Sequence, residues 1–310
     1  MSSLLVIGGS GFFGKSILDA FSRKRLVRFG IDKLICLARN IDDLHKNHPD
    51  LVGRGVELVQ SDISSVTEIP RADFVIHAAS STNAQNYILN SSKEKANIEA
   101  SVTNFCKLAR EYLHTSKIVY CSSGAVYGRQ LESQDYLHEE DVLTDVSALS
   151  YEKQAYAIGK RFAEDQFRKL GEEGFDVAIA RCFAFYGKYL PRDQHFAYGN
   201  FIGAAETGST IHVKARNSVI RSYMSADLMV DSLMVVLKYC SPSCEVINVG
   251  SDIPISIHDL ATRIAEKYNV SLEVPDQIDR DSVDRYVPNC EKLKSLFIKE
   301  FGSMPTLDIL

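Results

Sequence analysis

The chain has 310 residues, of which 45% are hydrophobic and 24% charged, the proportions of a globular protein with a well-buried core. Its formal net charge of −5 gives no basic footprint for nucleic acid or an anionic membrane, so a phosphate-bearing ligand must be held by local groups. The sequence enters a strand pattern almost at once, without an apolar leader or a membrane-length segment, which predicts a cytoplasmic protein.

The seven cysteines are odd in number and scattered along the chain. Several of them fall in apolar runs, which is typical of buried free thiols. Cys240 and Cys244 could be half of a metal site, but no matching His or Cys pair follows them, so no metal is predicted.

The first predicted strand, residues 4–7, is followed by a glycine-rich turn with the spacing Gly8-x-x-Gly11-x-x-Gly14. An amphipathic pattern then predicts a helix that runs to about Phe29. We expect Gly8 to take the backbone angles of a tight turn, Gly11 to let the main chain approach a pyrophosphate, and Gly14 to let helix and strand pack closely. With free N–H groups at the helix start, the stretch predicts a phosphate cradle, although an ordinary strand-to-helix turn also fits.

The end of the second predicted strand, residues 33–38, bears on which nicotinamide cofactor fits the chain. An arginine at this place suits the 2′-phosphate of NADP, whereas an acid favours NAD. Arg39 therefore favours NADP, with NAD still possible. Asp32 is a rival acid if the strand ends earlier, and Arg39 could also be an ordinary solvated arginine.

The third and fourth predicted strands, residues 56–60 and 74–77, also end in residues that suit a cofactor. Asp62 can accept a hydrogen bond from an adenine amino group, although an aspartate that caps a turn looks the same in the sequence. The small residues at 78–81 would let a cofactor pass closely over the sheet.

A predicted helix over residues 96–112, with Asn97 near its start, leads to a fifth strand over residues 117–121. That strand runs into the stretch Ser-Ser-Gly-Ala-Val-Tyr-Gly at 122–128. Strands that alternate with helices in this way predict an α/β fold with a doubly wound parallel sheet. Ligands of such sheets bind at the carboxyl ends of the strands, where the candidate residues lie.

Tyr156 and Lys160 are four residues apart within a helical pattern that runs to about residue 170, so they share one helix face. A tyrosine with its ordinary pKa of about 10 is a poor proton donor or base at neutral pH, and a nearby cation favours its ionised form. The pair could therefore exchange a proton with a substrate oxygen. Such pairs also occur by chance. Tyr151 lies just before this pair, but the residue four positions after it, at 155, is not a lysine, so Tyr156 is the better candidate.

In this order, these stretches resemble the extended short-chain dehydrogenase/reductase family of NAD(P)-dependent epimerases, dehydratases and reductases of nucleotide sugars. The resemblance covers nearly the whole chain and includes Arg-Cys-Phe-Ala-Phe-Tyr-Gly at 181–187, Arg-Ser-Tyr-Met at 221–224 and Val-Ile-Asn-Val-Gly at 246–250. It implies a Rossmann domain over residues 1–180. It also implies a smaller, mixed α/β substrate lobe over residues 181–310, with some segments returning to the sheet.

The resemblance also implies roles for individual residues. Ser123 hydrogen-bonds the reacting oxygen, Tyr156 is the general acid or base, and Lys160 lowers the tyrosine pKa and holds the nicotinamide ribose; whether Ser122 shares the role of Ser123 stays open. The implied cofactor-binding residues are Gly8, Gly11, Phe12, Phe13, Gly14, Arg39, Asp62, Ile63, Ala78, Ala79, Ser80, Asn97, Tyr156, Lys160 and Phe183. The implied substrate-binding residues are Thr82, Ser123, Asn200 and Arg221, of which Arg221 would contact the phosphates, and His195 falls in the segment of Asn200.

Departures from the family patterns narrow the predicted chemistry. Dehydratases and decarboxylases of the family carry acidic residues just after the catalytic hydroxyl, where this chain has Gly124 and Ala125, which cannot act as acid or base. The cysteine that carbon-epimerising reductases use near this place is absent as well. Ala184 replaces a common asparagine, so one substrate contact is not carried over.

We therefore predict an NADPH-dependent reductase of a nucleotide-linked 4-keto sugar, of the 6-deoxy type used in polysaccharide biosynthesis. The first alternative is a nucleotide-sugar 4-epimerase with tightly bound NAD. The second is a non-catalytic cofactor-sensing protein, whose usual sign, loss of the tyrosine or lysine, is absent here. The resemblance also implies a homodimer through two helices that carry Leu108, Phe162 and Phe167, although core burial explains these residues equally well.

Overall fold

The computed structural model describes residues 2–80, 84–192, 194, 196–275 and 279–305. The strands within these residues are β1 (Ser2–Ile7), β2 (Ile31–Ala38), β3 (Val56–Gln60), β4 (Phe74–His77), β5 (Lys117–Ser123), β6 (Asp176–Cys182), β7 (Phe185–Tyr186), β8 (Ile211–His212), β9 (Asn217–Arg221), β10 (Met224–Ser225), β11 (Glu245–Val249), β12 (Ile255–Ser256), β13 (Leu272–Glu273) and β14 (Asp279–Tyr286). The helices are α1 (Phe12–Ser22), α2 (Asp42–Asn47), α3 (Ala84–Tyr112), α4 (Tyr151–Glu172), α5 (Ala197–Glu206), α6 (Ala226–Lys238), α7 (Ile257–Tyr268) and α8 (Glu291–Phe301).

Seven strands form one parallel sheet in the order β11-β6-β5-β4-β1-β2-β3. The predicted α/β fold with a doubly wound parallel sheet is confirmed. The chain winds in one direction from β1 to β3 and in the other from β4 to β6, so the winding reverses between β1 and β4. In such sheets the ligand crevice opens at this reversal, beside the carboxyl ends of the strands.

The central strands are buried on both faces, as the continuous apolar runs of parallel strands require. One face of the sheet packs against α1, α6 and α8, with Ile17, Leu233 and Phe297 in the same buried cluster. The other face packs against α3 and α4, whose Phe105 and Phe167 lie in a second buried cluster.

Residues that follow β6 build a separate core from α5, α7 and short strands. In that region β9 pairs in parallel with β14 and antiparallel with β12. Other segments of the same part of the chain return to the main sheet, where β11 forms the edge beside β6. We keep the two-lobe division, with a boundary near residue 180, as a proposal.

Several predicted element bounds differ from the structure. The first helix ends at Ser22 instead of near residue 29, because Lys24 adopts a left-handed conformation (φ 59°) and a short 3₁₀ segment over Arg25–Phe29 follows it. The third helix begins at Ala84 instead of residue 96, in a polar stretch without a clear apolar period. It is interrupted at Asn90, whose side chain accepts a hydrogen bond from the Lys93 N–H at 3.1 Å and so caps the helix that continues.

All seven cysteines lie in the described part of the chain and are buried free thiols, as predicted. No helix in the described ranges has the length and apolar character needed to cross a membrane. Of the apolar residues proposed for a dimer surface, Leu108 and Phe167 are buried inside the protomer, so core packing accounts for them.

Candidate active site

The loop between β1 and α1 is closely packed, and two of its glycines have no room for a side chain. Gly8 has a φ of +97°, and a Cβ on it would lie 2.9 Å from the backbone nitrogen of Ala79. A Cβ on Gly14 would overlap the carbonyl oxygen of Gly9. The turn role expected for Gly8 and the close-packing role expected for Gly14 therefore agree with the geometry, while Gly11 has ordinary clearance on its protein side.

The N-terminus of α1 has the properties of an anion-binding site. Gly11 is the N-cap residue, no side chain caps the helix, and no acidic residue lies in its first turn. The first-turn N–H groups therefore have no intrahelical partner, and the helix dipole adds a partial positive charge there. The rings of Phe12 and Phe13 pack against Phe185 at 6.4 and 5.5 Å between centroids, which fixes the start of the helix beside β7.

Arg39 lies exposed directly after β2, whereas Asp32 is the second residue of that strand and lies at its opposite end. Asp32 therefore does not lie at the carboxyl end of β2, where the choice between NAD and NADP would be made. Asp62 caps the turn after β3 by accepting hydrogen bonds from the Ser64 N–H and hydroxyl at 2.9 and 2.8 Å. Burial raises the pKa of Asp62, but these bonds and the charge of Arg39 outweigh it and leave the pKa below its usual value.

The loop after β3 is held in place from α3. The carbonyl oxygens of Ile63 and Val66 both accept hydrogen bonds from the Asn104 amide at 2.8 Å. Asn97, the predicted cofactor residue on this helix, is exposed, and its amide lies 3.5 Å from Glu94. The sequence reasoning therefore missed Asn104, which the structure places against the loop after β3.

The segment 78–80 after β4 is half-buried and follows a fully buried histidine, His77. Gly8 of the glycine loop packs against the backbone of Ala78 and Ala79, which brings the two ligand-edge segments together. The Ser80 hydroxyl hydrogen-bonds Tyr87, whose ring meets the Tyr156 ring edge-on at 5.5 Å. The first turns of α3 thus cover the catalytic tyrosine candidate.

The two serines at the end of β5 have different surroundings. The Ser123 hydroxyl accepts a hydrogen bond from the Ala125 N–H at 3.2 Å and lies beside Tyr156. The Ser122 hydroxyl instead donates to the buried carboxylate of Glu164 at 2.7 Å. Successive side chains of a strand point to opposite faces, so Ser122 does not share the position of Ser123.

Tyr156 and Lys160 lie on one face of α4, as predicted. Lys160 is buried, and its ammonium donates a hydrogen bond to the carbonyl oxygen of Cys121 at 2.9 Å and lies 5.7 Å from the centre of the Tyr156 ring. Burial lowers the pKa of Lys160 to about 8. Burial raises the pKa of Tyr156 to about 12, although the Ser123 hydroxyl lowers it slightly. The resemblance implies that Lys160 also lowers this pKa, and that effect stays a prediction.

A buried ion pair supports α4 behind these residues. Glu164 accepts hydrogen bonds from Arg181 of β6 at 2.8 and 2.9 Å, and both side chains are almost fully buried. The Arg181 guanidinium also lies 4.6 Å from the centre of the Tyr127 ring, whose hydroxyl donates to Asn248. This network joins β5, α4, β6 and β11, but the sequence reasoning did not find it.

Tyr286, at the end of β14, also reaches this site. Its ring packs on Phe183 at 4.7 Å between centroids, and its hydroxyl oxygen would lie 2.5 Å from a Cβ on Gly124. The Ser123 hydroxyl therefore lies near two phenols, those of Tyr156 and Tyr286. Burial raises the pKa of Tyr286 above its usual range, so the phenol stays protonated at neutral pH.

The structure places the predicted substrate-binding residues in different surroundings. Arg221 ends β9, directly opposite Tyr286 in the strand pairing, and its guanidinium binds the backbone and carboxylate of Asp284 at 2.8 Å each. Asn200 is exposed on α5. Thr82 and His195 lie outside the described residues.

A dinucleotide fits the residues at this edge of the sheet. The loop at Gly8 and Gly14 excludes side chains, the start of α1 offers N–H groups to phosphates, and small residues follow β4. Among the described residues, no three His, Cys, Asp or Glu side chains are grouped to hold a metal ion.

Comparison with known proteins relates this arrangement to one family. Residues 4–250 match the profile of the NAD dependent epimerase/dehydratase family. UDP-glucuronic acid decarboxylase 5 of Arabidopsis thaliana is 26% identical over 274 residues, which cover 87% of this chain and 76% of the relative. A putative UDP-glucose 4-epimerase of Methanocaldococcus jannaschii is 24% identical over 315 residues, which cover 99% of this chain and 94% of the relative.

Solved structures share the fold at low sequence identity. UDP-glucose 4-epimerase from Thermotoga maritima, solved with UDP-glucose, has a TM-score of 0.77 at 17% identity over 99% of this chain and 94% of that chain. A double mutant of dTDP-glucose 4,6-dehydratase from Streptomyces venezuelae, solved with NAD bound, has a TM-score of 0.76 at 20% identity over 98% of this chain and 92% of that chain.

Proposed function

The chain belongs to the NAD dependent epimerase/dehydratase family, as the sequence resemblance predicted, and from this premise we propose that it is an NADPH-dependent reductase of a nucleotide-linked 4-keto-6-deoxy sugar. Relatives and structural neighbours are named as decarboxylases, dehydratases and epimerases of nucleotide sugars, so this substrate class is common to them. The proposal therefore concerns the reaction at the sugar and the choice of cofactor.

One observation carries the choice of reaction: the hydroxyl, phenol and ammonium stand together, and the two residues after the hydroxyl are Gly124 and Ala125. Loss of water or carbon dioxide from a sugar needs a group that moves a proton at a carbon atom, and neither residue can do so. Glu164, a nearby carboxylate, is held in its ion pair with Arg181. Simple hydride exchange at one carbon needs no such group.

The residues of the site would act on the ketone oxygen. A nicotinamide cofactor, when bound, supplies the hydride that the ketone carbon receives. Tyr156 gives its phenol proton to the oxygen, and Ser123 donates a hydrogen bond to it as negative charge develops. Lys160 supplies a positive charge 5.7 Å from the Tyr156 ring, which favours the tyrosinate left after proton transfer.

Arg39 supports NADPH as the cofactor, because it stands exposed where a 2′-phosphate would lie and Asp32 does not. We propose that the loop at 8–14 holds the pyrophosphate and that Asp62 and Ile63 flank the adenine. NAD stays the alternative, since a neighbouring structure contains it.

Replacement of Tyr156 by Phe tests the reaction. With NADPH and dTDP-4-keto-6-deoxyglucose, we expect kcat to fall by a factor of about 10² to 10⁴, because the proton donor is lost while the ring remains. Tyr151→Phe is the matched control, since Tyr151 begins the same helix but is exposed, and it should keep the wild-type rate. A Tyr156→Phe enzyme with normal turnover would contradict the proposed mechanism.

Replacement of Arg39 by Asp tests the cofactor. Loss of a charged hydrogen bond to the 2′-phosphate is worth about 1.5–3 kcal/mol, so the Kd for NADPH should rise by a factor of about 10 to 160 while the Kd for NADH does not rise. Arg71→Asp, an exposed arginine at the amino end of β4, is the control. Equal loss for NADPH and NADH would count against the assignment.

The 4-epimerase is the second candidate, supported by its relative from Methanocaldococcus jannaschii, which the match covers almost entirely. An epimerase must keep its cofactor through oxidation and re-reduction of the sugar. Purified protein that retains NAD through dialysis and interconverts 4-epimers would favour this candidate over the reductase.

We also propose that the protein forms a homodimer through α3 and α4. Large apolar side chains are exposed on these helices, at Ile88, Leu89, Tyr151 and Ile158. Light scattering of the purified protein tests this, and a monomer at micromolar concentration would refute it.

A further inference from the structure

Tyr286 is placed to act on the reaction through Ser123. It lies on β14, in the proposed substrate lobe, yet its phenol oxygen would be 2.5 Å from a Cβ on Gly124, the residue next to Ser123. Its ring is held against Phe183, and its backbone is held by parallel pairing with Arg221 of β9. The phenol is therefore fixed at the end of β5 from two sides.

The hydrogen-bonding capacity of Ser123 limits what its hydroxyl can do. A serine hydroxyl has one proton to donate and two lone pairs to accept. One lone pair of the Ser123 oxygen accepts the Ala125 N–H at 3.2 Å. One lone pair and one proton remain, and the phenols of Tyr156 and Tyr286 lie nearby.

We propose that Tyr286 is a positioning residue whose phenol O–H donates a hydrogen bond to the Ser123 oxygen and thereby directs the Ser123 O–H toward the reacting oxygen of the substrate. The proposal rests on the proposed function, since it assigns the Ser123 proton a target at the ketone. With both lone pairs of Ser123 occupied, its hydroxyl can only donate toward the side where Tyr156 stands. The ketone oxygen then has two donors, Ser123 and Tyr156, and Tyr156 alone transfers its proton.

Tyr286 can hold this role at neutral pH because it stays a donor. Burial raises its pKa and disfavours the phenolate, which would accept a hydrogen bond from Ser123 and turn the hydroxyl away from the substrate. A phenylalanine at 286 would keep the ring contact with Phe183 but leave one Ser123 lone pair free. Ser123 could then accept a hydrogen bond from the Tyr156 phenol instead of donating one to the ketone.

A double-mutant cycle tests the proposal. We would compare the wild type with Ser123→Ala, Tyr286→Phe and the double variant, using NADPH and dTDP-4-keto-6-deoxyglucose. We expect Tyr286→Phe to lower kcat by a factor of about 10 with KM within a factor of about 2, as loss of one hydrogen bond allows. The double variant should be no slower than Ser123→Ala, because Tyr286 acts only through Ser123.

Tyr127→Phe is the matched control, since it removes a phenol oxygen three residues from Gly124 that points to Asn248. It should keep the wild-type kcat. A Tyr286→Phe enzyme as fast as this control, or losses for Ser123→Ala and Tyr286→Phe that multiply, would overturn the proposal.

A second readout separates this proposal from the proposed function. A wild-type protein that turns over no nucleotide 4-keto sugar refutes the reductase, and the Tyr286–Ser123 contact is then judged by thermal unfolding of the same four proteins. If the Tm of the double variant falls by less than the sum of the two single shifts, the contact is supported, because the same bond is lost in each variant. Additive shifts overturn it.

Discussion

The stability of the protein should depend on pH through one buried histidine. His77 ends β4, is fully buried, and lies among the rings of Phe105, Tyr120 and Phe167 at 4.8 to 5.9 Å between centroids. Within the described residues, neither of its ring nitrogens has a hydrogen-bond partner. Burial, together with the charge of Lys160, lowers the pKa of His77 to about 3.

The sign and size of the effect follow from proton binding. In the unfolded chain a histidine has a pKa of about 6.5, so between pH 6.5 and 3 the unfolded state binds a proton at this position and the native state does not. The free energy of unfolding therefore falls as the pH falls, by about 1.4 kcal/mol per pH unit from this group. From pH 7.5 to 5.0 the loss is about 2 kcal/mol, because the unfolded form is protonated over about 1.5 units of that range.

Urea unfolding at pH 7.5 and 5.0, followed by circular dichroism, measures this loss. The variants His77→Phe and His77→Leu cannot take up the proton, so each should lose about 2 kcal/mol less than the wild type between the two pH values. Other titrating groups contribute equally to all three proteins and cancel in the comparison. If both variants are folded at pH 7.5 and lose as much stability as the wild type, His77 is not the group responsible and the reasoning is wrong.

Two further substitutions test the contacts that surround the site. Glu164→Ala leaves the buried guanidinium of Arg181 without its carboxylate and should lower the free energy of unfolding by about 3–5 kcal/mol, whereas Asp165→Ala, on an exposed side chain, should change it little. Gly124→Ala puts a methyl group 2.5 Å from the Tyr286 oxygen and should lower kcat at least as far as Tyr286→Phe does; an alanine enzyme with wild-type kcat would show that this contact has no part in turnover.

The parts of the fold set by local sequence were predictable. β3 and β4 were predicted with their observed bounds. β4 is a short apolar run that is almost entirely buried, whereas β3 is an edge strand whose apolar residues are half-buried. The glycine loop was predictable as well, since the positive φ of Gly8 favours a residue without a side chain. Tyr156 and Lys160 were brought together by helix geometry alone.

Residues whose role depends on distant partners were not predictable. Tyr286 is 163 positions from Ser123 in the numbering, and only the pairing of β14 with β9 brings it to the site. Asn97 and Asn104 are seven residues apart on α3 and therefore lie on the same face of that helix, two turns apart. Which of them reaches the loop after β3 depends on where the helix sits along the sheet, and nothing in the local sequence fixes that position.

The structure gives a physical reason for the glycine at position 124 that the sequence does not show. From the sequence alone, Gly124 indicates only that the acid of the family's dehydratases and decarboxylases is missing. In the structure, the space that a side chain there would fill is taken by the Tyr286 hydroxyl and by the Phe183 ring, whose nearest atom would be 2.7 Å from a Cβ. An acid at 124 and the phenol of Tyr286 therefore exclude each other, so the glycine on which the proposed reductase reaction rests also makes room for the second phenol.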